Sequence, residues 1–89
     1  MIFTSYFGNI RRIKQAGIVP VSIARYNPEF FQGKTIIELA PTHKMFGMTW
    51  DQFDFHYKNM LARLDARQVV EKIKNYGKGR QVALLCYEK

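Results

Sequence analysis

The sequence predicts a small α/β fold: three layers around a mostly parallel four-stranded sheet. Three observations lead there. Four β-prone apolar runs alternate with helical patterns in the order β-α-β, β, α-α, β, the arrangement that parallel strands joined by right-handed crossovers require. The last run, QVALLCY, is continuously apolar, as strands covered on both faces are. A length of 89 residues holds one domain with a small core.

Each element has its own justification. Residues 2–7 (IFTSYF) are β-prone, and Asn9 is placed to cap a short helix with Ile10, Ile13 and Ala16 inward and Gly17 as its stop. Residues 18–25 (IVPVSIAR) form the second β-rich run, in which Pro20 is tolerable at a strand start or an edge but not in mid-ladder. Asn27-Pro28 sets a turn that Gly33 closes, and TIIELAP reads as a third strand ended by Pro41. Thr49 with Gln52 three residues on is a capping box, so a helix starts near Trp50. Trp50, Phe53, Tyr57, Met60, Leu61 and Leu64 recur at helical steps and mark its expected buried stripe. Asp65 with Gln68 repeats the capping pattern for a last helix that Gly77 and Gly79 end, with Lys72, Lys74 and Lys78 suited to its negative terminus.

The charge is lopsided, 14 Lys and Arg against 7 Asp and Glu, giving net +7. Such a field attracts anions without choosing among nucleic acid, nucleotide and acidic protein. No apolar run approaches the roughly 18 residues of a membrane span, so no membrane partner is expected. Met1 leads directly into Ile2-Phe3 without a basic leader, which reads against a signal peptide. The single cysteine, Cys86, forms no internal disulfide and fits a reducing, cytoplasmic setting. Two histidines without matching thiols or carboxylates make no metal site, and no cofactor is expected.

In an open parallel sheet, ligands bind beyond the carboxyl ends of the strands. Four segments of this chain emerge there: SYFGN, ARYNP, LAPTHK and CYEK. Gly8 admits close backbone approach, Asn9 and the following helix start offer amide donors, and Thr4, Ser5 and Tyr6 add hydroxyls. Arg25 supplies a fork for phosphate or carboxylate and Tyr26 a stacking face. His43 and Lys44 come from the third connection, Tyr87 and Glu88 from the last. The competing reading makes Tyr6 and Tyr87 core aromatics, His56 a surface or packing residue, and Arg11, Arg12 and Lys14 a solvated helix face.

TSYFGN, SIARYNP, ELAP and ALLCYEK, in that order and spacing, resemble the domain of unknown function 488 family across nearly the whole chain. The resemblance implies a Rossmann-like fold and carries no established reaction with it. Members of that family continue beyond this point into a Cys-His-Arg segment and a further helix that this sequence does not contain. The carry-over is therefore Thr4, Ser5, Tyr6, Gly8, Asn9, Ser22, Arg25, Tyr26, Pro28, Pro41, Cys86, Tyr87, Glu88 and Lys89. A missing terminal helix predicts an apolar patch over the last strand and a homodimer closing on it.

Three function classes follow. A binding protein needs only donors, a cation and rings around an anionic, nucleotide-like small molecule, and sequestration of a nucleotide immune signal is one concrete version. An enzyme acting on a nucleotide or phosphorylated small molecule needs an activated group. Cys86 has only three residues after it, too few for a phosphate-cradling loop, and nothing in the sequence brings His43 to Glu88 as base and orienter. A nucleic-acid-binding or protein-inhibitor module rests on the net charge, with no helix-turn-helix signature, zinc spacing or RNP-like strand beside it. Binding is the expectation, with no catalytic residue assigned.

Overall fold

A computed structural model describes residues 1–87 of the chain. Strands β1 (Ile2–Tyr6), β2 (Val19–Ser22), β3 (Lys34–Thr35) and β4 (Val82–Cys86) form one sheet in the order β1-β4-β2-β3, and every pairing is parallel. Helices α1 (Ile10–Gln15), α2 (Trp50–Ala62) and α3 (Ala66–Gly77) and short 3-10 turns at Phe7–Asn9, Ile37–Leu39 and His43–Gly47 complete the described residues. This is the mixed α/β architecture, with a four-stranded parallel sheet, that the sequence predicts. None of the helices is long and apolar enough to cross a membrane.

β4 organises the core because a strand's side chains alternate between faces. Val82 and Leu84 join Val21, Ile36 and Ile73 on the α3 side, while Ala83 and Leu85 join Phe7, Ile13, Ala24 and Phe31 on the α1 side. Val82, Ala83 and Leu85 are buried. The apolar patch expected over this strand is therefore absent: α1 and α3 cover its two faces. Exposed apolar side chains occur elsewhere, among them Met1 and, on the edge strand β1, Ile2 and Phe3.

Pro20 sits in an interior strand yet breaks no ladder. Val19 and Ile23 donate their N–H groups toward β4, to Gln81 and Leu85, so alternation turns the missing Pro20 donor toward β3. β3 begins only opposite Val21, one residue too late to need it.

Two local expectations are corrected. Asn9 makes no side-chain cap; its amide donates to Ser5 Oγ at 3.3 Å. The third strand is two residues long, and the Ile-Glu-Leu after it winds into a 3-10 turn. That winding puts Ile36 and Leu39, three apart, against the same α3-side cluster, which the threefold repeat of a 3-10 turn allows and strand alternation forbids. Gly77 is the last residue of α3, as the sequence predicts, and it also has a packing role. A Cβ there would come within 2.6 Å of Val82 Cγ2, so the glycine lets α3 approach β4, and Lys78 takes the left-handed cap at φ 51°. The caps at Thr49 and Asp65 form as predicted: Thr49 and Gln52 bond reciprocally, and Asp65 accepts from the backbones of Arg67 and Gln68.

Candidate functional site

Parallel strands bring all four carboxyl ends to one rim, and α2 lies over it. The stripe expected to bury α2 contains no fully buried residue. Its principal neighbour is the 3-10 turn His43–Gly47, not the sheet, so the aromatic half of the stripe faces a cleft. That cleft has a volume of about 730 Å³, within the range of small-molecule sites. Its floor is Ile23, Ala24, Arg25 and Tyr26 from beyond β2, Pro41, and Cys86 and Tyr87 from the end of β4. Its roof is Trp50, Phe53, Asp54 and Tyr57 from α2, with Met45, Phe46 and Met48 leading into that helix. Four of these aromatics remain open to solvent: Trp50 at 68%, Tyr87 at 59%, Tyr26 at 56% and Phe46 at 54%.

The loop carrying Arg25 and Tyr26 is fixed from below. Ser22, fully buried, donates to Asn27 Oδ1 and accepts from the Ala24 N–H at 3.1 Å. Asn27 Nδ2 in turn donates to Thr35 Oγ1 at 2.9 Å. This network ties β2 to β3 and closes the loop on itself, leaving the two residues between to project. Arg25 is half-buried and donates its Nε–H to the Pro41 carbonyl at 2.7 Å. Among the described residues it has no carboxylate partner, so its two Nη groups keep their donors for another acceptor.

Aromatic hydroxyls lace the rim together. Tyr87 Oη donates to the Tyr26 carbonyl at 2.6 Å, and its ring packs on Phe7 with centroids 5.0 Å apart. Tyr26 Oη lies 2.8 Å from His43 Nδ1. Phe46 sits 6.0 Å from the Tyr26 ring, and Trp50 stacks on Phe53 at 6.0 Å with an 8° tilt. Tyr57 Oη donates to the Leu39 carbonyl at 2.5 Å, pinning the roof to the segment after β3. Burial, with the nearby Cys86 adding to it, raises the Tyr57 hydroxyl above its ordinary pKa, so it stays a donor. Asp54 is the one carboxylate on the cleft wall among the described residues, and Lys58 pairs with it at 2.9 Å.

Of the residues singled out in the sequence, Arg25, Tyr26 and Tyr87 line this cleft together, and His43 touches it through Tyr26. Lys44 follows His43 in the same turn and is exposed. Thr4, Ser5, Tyr6, Gly8 and Asn9 stand outside the cleft lining. They flank it from behind: Tyr6 pairs with Cys86 across the sheet, and Phe7, turned into the core, backs Tyr87. Gly8 has its own local reason, since a Cβ there would lie 3.1 Å from the Tyr6 ring. Glu88 lies outside the described residues. No group of three or more His, Cys, Asp or Glu able to hold a metal occurs among the described residues.

Trp50, Phe53, Tyr57, Phe46 and the Ser22–Asn27 network are site features that the sequence reading did not assign. A helical stripe looks the same whether it meets a sheet or a cleft. The available signal was Phe55, which puts an aromatic on a second face of the same helix. A shallower hollow of about 570 Å³ lies on that side, lined by Phe55, His56, Met60, Arg63 and their neighbours. Scans against protein-family models, curated proteins and solved structures return no match.

Proposed function

We propose that this chain is a small-ligand-binding protein that holds an anionic, nucleotide-like molecule in the cleft between the carboxyl rim of the sheet and α2. One observation carries the reading. An arginine braced through one nitrogen, with its remaining donors unspent among the described residues, stands among four solvent-open aromatic rings at the rim where parallel sheets take ligands. The rings supply stacking faces and the guanidinium a fork for one oxyanion. Kinship with the domain of unknown function 488 family belongs to this reading and adds no chemistry to it. Sequestration of a nucleotide signal is its biological form, because no step beyond binding is asked of these side chains.

The test is mass spectrometry of small molecules released by denaturing the purified protein, followed by thermal shift with the recovered compound. An anionic aromatic released intact, raising Tm for the native chain but not for Arg25→Ala, is the expected result. Recovery of a converted product would replace binding with catalysis. Steeply salt-dependent DNA or RNA binding without a nucleotide response would replace it with the nucleic-acid reading.

A homodimer is part of the proposal, with its seat at the β1 edge. Residues 1–10 carry no charged side chain in a chain of net +7, and Ile2 and Phe3 are exposed on opposite faces of an unpaired edge. The other edge, β3, is two residues long and holds Lys34, a usual device against edge pairing. Two-fold pairing of β1 strands would extend the sheet. Sedimentation of the native chain as a dimer, and of Phe3→Lys as a monomer, is expected; a monomeric native chain at about 100 μM, well above ordinary dimer constants, would remove it.

A further inference from the structure

The local charge of the cleft differs from that of the chain. Among the described residues lining it, Arg25 is the only cation and Asp54 the only carboxylate, although the whole sequence carries net +7. Resting on the binding reading above, we infer that the site selects a planar aromatic bearing a single anionic group, one carboxylate or one phosphate, and discriminates against di- and triphosphates.

The geometry of the guanidinium sets the count. Arginine has five N–H donors in a rigid fork. The Nε–H is already given to the Pro41 carbonyl at 2.7 Å, which removes the side-on pairing mode that uses Nε together with one Nη. What remains is the end-on mode, in which the two Nη groups grip the two oxygens of one carboxylate or phosphate. A second or third phosphate on the same ligand would find no further cation among the described residues of the wall. It would meet apolar rings and the Asp54 carboxylate, whose charge repels it even with Lys58 at 2.9 Å. Polyphosphate sites meet their ligands with glycine-rich backbone cradles, lysines and metal ions, and this cleft presents aromatic faces in those places.

Apolar walls also fix what carries the anion. Tyr26 from the floor neighbours Phe46, and Trp50 stacks on Phe53 in the roof, so a flat π-system is the body that replaces water with the most contact. Asp54, on the wall but distant in role from Arg25, suits an exocyclic amine or a hydroxyl, both donors to a carboxylate.

The single tryptophan of the chain is Trp50, so its fluorescence reports the cleft directly. Titration at 150 mM salt compares adenosine, AMP, 3′,5′-cyclic AMP, ADP, ATP and indole-3-acetate, with thermal shift as the second readout. The expected order places the compounds with one anionic group at least tenfold tighter than both adenosine and ATP. Arg25→Ala is expected to bring AMP down to the level of adenosine, and Arg25→Lys, which keeps the charge but not the fork, to fall between. Preference for phosphate esters over indole-3-acetate, or the reverse, identifies the anion. ATP binding as tightly as AMP, or tighter, overturns the inference while leaving the binding reading standing. Silence of the whole panel in both readouts overturns the two together.

Discussion

Tyr57 tests whether α2 is a roof held by few ties. The perturbation is Tyr57→Phe, which deletes the hydroxyl that donates to the Leu39 carbonyl at 2.5 Å and leaves the ring in place. A hydrogen bond of this kind contributes about 0.5–1.5 kcal/mol net, and a half-buried acceptor that water can reach belongs at the low end. α2 contains no fully buried side chain, so the loss is not spread through a core. It lowers the free energy of lifting α2 off the rim, a local opening that does not require the sheet to unfold.

Hydrogen exchange of backbone amides measures that opening. Residues 53–62 are expected to exchange about 2- to 13-fold faster in the variant, which is 0.5–1.5 kcal/mol expressed as a rate ratio at 25 °C. Amides of β4, whose Val82, Ala83 and Leu85 are buried between two layers, are expected to slow or speed by much less. Unchanged exchange in α2 would show that the hydroxyl is not a tie. An equal acceleration in α2 and β4 would show that the helix belongs to the global folding unit, and the picture of a separately lifting roof would fail.

Two further perturbations probe the scaffold. Gly77→Ala gains about 1 kcal/mol of helix propensity but drives a methyl to within 2.6 Å of Val82 Cγ2, and overpacking of about 1–3 kcal/mol prevails. A lower Tm is expected, restored in part by Val82→Ala in the double variant; a Gly77→Ala protein more stable than the native chain would refute the close-approach argument. The Glu38–Lys72 pair, 2.9 Å apart, makes stability depend on pH at both ends. Its hydrogen bond to Lys72 lowers the Glu38 pKa below 4.5, so that contribution is full above the ordinary value and is lost as pH falls through the folded one. The same bond raises Lys72 above 10.5, so its contribution is full below that value and is lost as pH rises through the folded one. A Tm difference between native and Lys72→Gln protein that is flat from about pH 6 to 9 and closes below about pH 4 is expected; a difference that persists in acid would refute the pairing.

Much of this fold was legible because its signals are local. The caps at Thr49 and Asp65 depend on residues three apart, and the continuous apolarity of VALLC is what a strand between two layers must show. Arg25 and Tyr26 were legible as rim residues for a related reason. An arginine at the end of an apolar strand has few places to go, and in the structure it reaches the rim with only a carbonyl for company. The TSYFGN turn is ambiguous because one set of residues serves two purposes. Glycine and asparagine before a helix suit an anion site, but they equally suit a tight turn whose work is to drive Phe7 into the core. Only the burial of Phe7, a long-range fact, separates the two. The role of α2 was illegible for the complementary reason: periodicity reports that a helix has an apolar stripe and is silent on what the stripe faces.

The separation between the charge of the chain and the charge of the cleft has a kinetic consequence. Arg11, Arg12 and Lys14 on α1 and Arg67, Lys74 and Lys78 on or beside α3 are exposed and stand outside the cleft lining. They project a positive field that reaches about 8 Å at physiological ionic strength, and none of them forms part of the cleft wall. Such a field changes how fast an anion arrives and leaves its departure unaltered. On the binding proposal, departure is governed by Arg25 and the rings that line the cleft. Added salt is therefore expected to slow association of a one-anion aromatic while its dissociation rate holds. A nucleic-acid ligand would instead be bound by the outer cations themselves, and its affinity would collapse with salt through both rates. On the binding proposal, the basic surface and the near-neutral cleft act on successive steps of one encounter, with the helices collecting anions and the rim choosing among them.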